Sequence, residues 1–246
     1  MGDCIIYAAG YSPAMGYCIR TLKDAGVTIL SEPSMQVTHL LMPVPSFSPD
    51  GTIIGGGNLR TLLTLLPKDI VVIGGNLDRP ELDDYPTVDL LLDPSYLALN
   101  ARITAHCAVK VALQQLPVIL DGCDTLVIGW GRIGKCLAQL LQKMGANVTV
   151  CARKKADRSM LSALGYWVED TETVDLSKYR VIFNTVPTML FPACPGNGLK
   201  IDLASRLGLG SSDVIWARGL PGKEAPESSG TLIADTLLPL LRKESL

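Results

Sequence analysis

The segment Asp124–Lys155 limits what this chain can fold into more than any other stretch. Thr125–Ile128 is a short apolar run of the kind that fills a parallel strand covered on both faces. Gly129, Gly131 and Gly134 follow as Gly-x-Gly-x-x-Gly. Arg132–Met144 then carries apolar residues at 133, 137, 140, 141 and 144, which is helical spacing. Gly145 stands where a glycine ends a helix, and Asn147–Ala152 reads as a second strand. Strand, glycine turn, helix and strand in this order make a dinucleotide-binding unit. Gly129 permits the tight turn, Gly131 lets backbone approach a pyrophosphate, and Gly134 lets helix and strand pack closely. The amides of Arg132 and Ile133, at the positive end of the helix, then face the phosphates.

The end of the second strand bears on which dinucleotide is bound. An NAD site usually places Asp or Glu about 20 residues past the motif to hold the ribose hydroxyls. Here the window reads Cys151-Ala-Arg-Lys-Lys155, with no carboxylate before Asp157. Arg153 can grip a phosphate through two parallel hydrogen bonds, and Lys154 adds a point charge. This favours NADP over NAD, with NAD as the alternative and a plain solvated basic turn as the other reading.

Length and composition set outer bounds. At 246 residues the chain suits one large or two modest domains, and 48% hydrophobic with 19% charged residues is ordinary for a globular protein. The formal net charge of −2 gives no support for nucleic-acid or membrane binding. No apolar run is long enough to span a bilayer, and residues 1–20 lack a basic start followed by an apolar core, so a cytoplasmic location is expected. Seven cysteines are scattered without a Cys-x-x-Cys pair, and there are only two histidines, so no metal site is expected.

Outside the glycine motif, strands and short helices alternate. Strands are expected at Cys4–Ala9, Val27–Leu30, His39–Pro43, Ile70–Ile73 and Val88–Leu92, with helices at Ala14–Ala25 and Leu59–Leu66. Two loops rich in Gly, Pro and Ser, Pro43–Gly51 and Gly55–Asn58, follow strands, where α/β sheets carry ligand sites; Ser46 is a candidate substrate contact there. Pro94–Leu99 reads as the exit from this half. Ile103–Leu116 is a helix apolar on most sides, with His106, Lys110 and Gln114 four apart in a polar stripe. Strands at Tyr166–Val168, Arg180–Asn184, Leu199–Leu203 and Val214–Trp216, with a helix at Asp157–Leu164, continue the pattern. Ser228–Leu241 is a last helix, capped by Ser228 or Ser229 and kinked or shortened by Pro239. The expectation is an α/β protein of two Rossmann-like, doubly wound parallel-sheet domains with a cleft between them. Residues 1–99 form the substrate-side domain, 100–227 the nucleotide domain with linker helix 103–116, and helix 228–246 packs back on the first.

Several stretches resemble one family, the dipicolinate synthase A subunits, itself distantly similar to 2-hydroxyacid dehydrogenases. They are Asn100-Ala-Arg-Ile-Thr104, Gly129-Trp-Gly-Arg-Ile-Gly134, Gly145–Arg153, Phe183-Asn-Thr-Val-Pro187, Ile201-Asp-Leu-Ala-Ser-Arg206, and Gly219-Leu-Pro-Gly222 with Ala225-Pro226. The resemblance implies NADP-linked oxidation of a dihydropyridine dicarboxylate to dipicolinate, in the setting of sporulation, with a flavoprotein-like partner protein. Assembly as a homodimer is also expected. The resemblance further implies that Asn184, Thr185 and Pro187 pass the nicotinamide ribose, and that Gly219 and Pro221 lie in a loop closing over the cofactor. Arg206 becomes the candidate for a substrate carboxylate and a catalytic cation, and Lys223 a further anion contact.

Departures from the family pattern concern the substrate side. His106 stands where the family commonly has an acidic residue; it is a candidate general base, against a packed or solvent-facing histidine. Leu207–Asp213 and Arg218 also differ, and Leu190–Gly198 is shortened. Two other functions stay open. One is a 2-hydroxyacid dehydrogenase, which needs a late histidine that this chain lacks. The other is a nucleotide-binding module or sensor without turnover of its own.

Overall fold

A computed structural model describes residues 4–244. They divide into two compact units, the first made of residues up to Asn100 and from Pro221 onward, the second of Ala101–Leu220.

In the first unit, β1 (Ile5–Ala8) leads into α1 (Pro13–Asp24), whose first turn is capped by the Ser12 side chain accepting from Met15 N. Then come β2 (Thr28–Leu30), β3 (His39–Leu41), α2 (Leu59–Leu63), β4 (Val71–Gly74) and β5 (Thr87–Asp89). Among the described residues these strands form a five-stranded sheet, all parallel, in the order β2-β1-β3-β4-β5. Ala9, Leu40, Met42, Leu59, Ile70 and Val72 join in its core. The loop glycines serve close backbone packing: a Cβ on Gly55 would sit 2.3 Å from Tyr11 O, and one on Gly56 would sit 2.7 Å from Gly10 Cα.

The helix α3 (Pro94–Gln115) begins in the first unit and continues in the second. It starts nine residues ahead of the expected Ile103. Pro94 is a favourable first helical residue, because its missing N–H would be unpaired anyway, and Asp93 Oδ1 accepts from Tyr96 N at 2.7 Å. Ala101, Ala105, Ala108 and Ala112 form its buried stripe.

The second unit continues with β6 (Asp124–Ile128), α4 (Arg132–Lys143), β7 (Asn147–Cys151), α5 (Lys155–Ala163), β8 (Trp167–Glu169), β9 (Val181–Asn184), β10 (Leu199–Asp202) and β11 (Ile215–Trp216). These form a six-stranded parallel sheet among the described residues, ordered β11-β10-β9-β6-β7-β8. Thr125, Leu126, Val127 and Ile128 are all buried, as a strand covered on both faces requires. Leu126 and Ile128 pack with Cys151, Leu176, Tyr179, Ile182 and Leu209.

The chain ends with α6 (Leu220–Glu224) and α7 (Pro226–Glu244), and α7 packs on α1. Gly230 fits tightly there, since a Cβ would lie 2.2 Å from Ala14 O. Two expectations for this helix are corrected. It begins at Pro226 rather than at a serine cap, and Ser229 is buried inside it. It also runs on through Pro239 to Glu244, so the proline does not shorten it. Leu232, Ile233, Ala234 and Leu237 before the proline and Leu241 after it are buried, which holds both sides of the lost hydrogen bond in place.

Candidate dinucleotide site

The strand order of the second unit reverses between β6 and β9, and ligands of open α/β sheets bind outside the carboxyl ends of strands at such a point. The glycine turn lies there. Gly129 has φ +102°, a conformation that a side chain would strain. A Cβ on Gly129 would also meet Thr185 Oγ1 at 2.5 Å, and one on Gly134 would meet Gly129 O at 2.1 Å. A Cβ on Gly131 would meet nothing within 4 Å. Two glycines therefore close the turn, and the middle one keeps a space open at the start of α4. Gly131 caps α4 without a side-chain hydrogen bond, so the amides of Arg132 and Ile133 retain no cap from it. Open space against unpaired amides at a helix's positive end suits a phosphate.

An open groove of about 240 Å³ runs beside this turn, lined by Gly129 and Trp130, by Cys151–Lys154 and Asp157, and by Thr171, Val186, Thr188 and Leu190. It brings together the glycine turn, the basic turn and the segment after β9, which sequence reasoning singled out separately. Arg153 and Lys154 are exposed, and Pro187, between two lining residues, is exposed as well. Trp130, Asp157 and Thr171 were not anticipated. Trp130 lies edge-on to Tyr166, with ring centroids 5.7 Å apart, and Lys135 Nζ stands 5.7 Å from its ring. Its place between two motif glycines was the signal available. The Cys151 thiol is pushed up to about 12, first by burial and then by the Asp170 and Glu169 carboxylates, so it is a packing group rather than a nucleophile.

Three side chains in or near this region turn out to be structural. Asn184 is fully buried; its Nδ2 donates to Val186 O (3.0 Å) and Asp202 Oδ2 (2.9 Å), and its Oδ1 accepts from Val186 N (3.1 Å). Both amide hydrogens are thus taken within the fold, so Asn184, expected to pass the nicotinamide ribose, shapes the segment after β9. Thr185 Oγ1 donates to Ile128 O at 2.8 Å and forms the floor against Gly129. Asp202, also fully buried, accepts from Asn184 Nδ2 and from the backbone N–H groups of Ala204 (3.0 Å), Gly208 (2.8 Å) and Leu209 (3.2 Å). It gathers the loops after β9 and β10 around one carboxylate, a role no local pattern announces.

The expected substrate residues do not line this groove. Ser46 belongs to the first unit and is fully buried, with Oγ donating to Pro43 O (2.8 Å) and accepting from Gly75 N (3.0 Å). Its hydroxyl is committed to joining two loops, which corrects the expectation of a substrate contact. His106 is exposed on α3, Arg206 is exposed in the loop after β10, and Lys223 is exposed on α6. Gly219, with φ +65°, enters α6, and Pro221 stands within that helix, so the Gly219–Gly222 stretch is a helical turn rather than an extended loop. No group of residues able to hold a metal occurs among the described residues, and no described helix is long and apolar enough to cross a membrane.

A parallel sheet of this order, with a glycine turn closing on a helix at its centre, has the form of a Rossmann-type unit. Comparison with known proteins gives the particular likeness: the chain resembles the dipicolinate synthase A subunits. It is 28% identical to the dipicolinate synthase A chain of Bacillus subtilis (strain 168), over 85% of this chain and 79% of that protein. Its fold matches the crystal structure of the Bacillus halodurans dipicolinate synthase A chain with a TM-score of 0.82 at 23% identity, covering 98% of each chain. It also matches a transhydrogenase from Sinorhizobium meliloti, with a TM-score of 0.71 at 15% identity over 98% of this chain and 94% of that one. No family model matches the chain.

Proposed function

We propose that the chain is an NADP-linked oxidoreductase that oxidises a dihydropyridine dicarboxylate to its aromatic product, as the name of its Bacillus subtilis relative suggests. The observation that carries the reading is the groove in which the glycine turn, through Gly129 and Trp130, stands together with the Arg153–Lys154 cations. The turn and the α4 amides hold the pyrophosphate, and Arg153 with Lys154 holds the 2′-phosphate. Thr185 keeps the turn in shape from below.

In the reaction a hydride leaves one ring carbon, a proton leaves another ring position, and aromaticity of the product drives both. The nicotinamide supplies the hydride acceptor. The protein's own work is to hold a dianion in register and take up the proton. Arg206 is assigned to a carboxylate, Lys223 to further anion contact and His106 to the proton. The reading is completed by a flavoprotein-like partner protein, by a homodimeric state and by a cytoplasmic location. A 2-hydroxyacid dehydrogenase would need a histidine late in the chain. His39 instead lies buried in β3, with Nδ1 2.8 Å from Thr38 Oγ1, and precedes the glycine turn.

The test is NADP reduction with dihydrodipicolinate by the purified chain, with and without a candidate partner protein. Turnover in either case supports the reading; tight NADP binding with no turnover in both supports a nucleotide-binding module instead. Arg153→Asp is expected to weaken NADPH by about tenfold or more while NADH changes little, and equal weakening of both removes the 2′-phosphate role. Arg206→Ala is expected to raise the substrate KM by about tenfold with nucleotide affinity unchanged, and unaltered kinetics removes Arg206 from the site.

A further inference from the structure

The basic turn that lines the groove is not held by its own residues. Lys154 precedes α5 and offers no side-chain cap to the helix. The turn is held by Arg158, one helical turn further on. Its Nη1 donates to Ala152 O (2.9 Å) and Arg153 O (2.6 Å), and its Nη2 pairs with Asp170 Oδ2 (2.7 Å). The Arg158 side chain is 24% exposed and that of Asp170 29%. Asp170 in turn organises the turn after β8: its Oδ1 accepts from Glu172 N, and its backbone carbonyl accepts from Thr173 N and Val174 N. That turn carries Thr171, on the groove's lining. One guanidinium therefore ties the backbone beneath Arg153 to the backbone beside Thr171.

We propose that Arg158 is the positioning residue for nucleotide selectivity, fixing the turn that aims Arg153 at the 2′ position of the ribose. The proposal rests on the nucleotide reading given above. A planar fork that takes two carbonyls and a carboxylate at once suits this task, and a lysine's single nitrogen cannot span all three. Asp157, also on the groove lining, makes the aim matter, because a displaced Arg153 would leave that carboxylate facing the added phosphate.

The experiment measures Kd for NADPH and for NADH by calorimetry on the full chain and on Arg158→Met, Arg158→Lys, Arg153→Ser and the Arg153→Ser/Arg158→Met double variant, with thermal unfolding of each. Arg158→Met is expected to weaken NADPH about tenfold and NADH less than about twofold. In the Arg153→Ser background the same change is expected to leave the NADPH:NADH ratio where it stands. Arg158→Lys retains the cation and the stem, and is read in place of Arg158→Met if the latter fails to fold; its ratio is expected to fall as well. A lowered unfolding temperature with the ratio intact overturns the proposal, as does a ratio effect that adds in full to that of Arg153→Ser. A wild-type chain that binds neither nucleotide overturns the nucleotide reading itself, a different result from tight binding with an unmoved ratio.

Discussion

Asn184 and Asp202 lie opposite one another on the paired strands β9 and β10, and Asn184 Nδ2 donates to Asp202 Oδ2 at 2.9 Å. This bond makes the loops at the carboxyl edge of the second sheet one hydrogen-bonded body. Asp202→Ala would leave three backbone N–H groups and one hydrogen of the Asn184 amide buried without their acceptor. The expected loss of stability is at least about 3 kcal/mol, read from urea unfolding. A loss under about 1 kcal/mol would mean that water replaces the carboxylate at little cost.

The two motif glycines 131 and 134 are expected to separate folding from binding. A Cβ at Gly134 would press on Gly129 O, so Gly134→Ala should lower the unfolding temperature measurably and weaken nucleotide binding with it. Gly131 faces open space, so Gly131→Ala should keep the unfolding temperature within a degree or two while weakening nucleotide about tenfold or more, by filling the phosphate's place. Equal nucleotide affinity in Gly131→Ala and the wild type would move the phosphate away from this turn.

Burial raises the thiols of Cys18 and Cys151 to about 12 each. The folded protein should therefore leave both unmodified by iodoacetamide at neutral pH over a time in which the half-buried Cys136 reacts, with peptide mass spectrometry as the readout. Reaction at Cys151 as fast as at Cys136 would show that β7 opens locally.

Lys200 is almost wholly buried and donates to Asp213 Oδ2 (2.8 Å) and Gly196 O (2.9 Å). Its hydrogen bond, followed by that of Ser211, holds the Asp213 carboxyl below its ordinary 3.8. A depressed carboxyl stabilises the fold fully above its unfolded value, and that contribution is lost as pH falls through the folded one. The gap in urea midpoint between wild type and Asp213→Asn should thus be widest near neutral pH and shrink below about pH 4. A gap that stays constant on acidification would uncouple Asp213 from stability.

Much of the fold could be read from short-range pattern. Thr125–Ile128, the three glycines and the spacing of Ile133, Leu137 and Leu141 encode β6, the turn and α4 within a few residues of one another. The start of α3 was also written locally, as Asp93-Pro94, although Pro94–Leu99 reads as an exit from the first half. Pro239 misled because its cost is offset by residues such as Leu237 and Leu241 packing in the fold. At the site the division is by range. That Gly129, Arg153 and Lys154 would come close to one another was legible because each belongs to a local motif. The internal bonding of Asn184 and Ser46 was not legible, because beside a local partner (Val186, Pro43) each reaches one 18 or 29 residues away, and that distance in sequence leaves no trace in spacing.

Thr185 supports Gly129 from the residue just after β9, a strand that is laid beside β6 only after β7, α5 and β8 have been traversed. A chain emerging from the ribosome therefore carries the Gly-x-Gly-x-x-Gly segment well before it carries the strand that keeps that segment rigid. A nascent or truncated product ending ahead of β9 would therefore expose β6 as an unpaired edge open to chaperones and self-association.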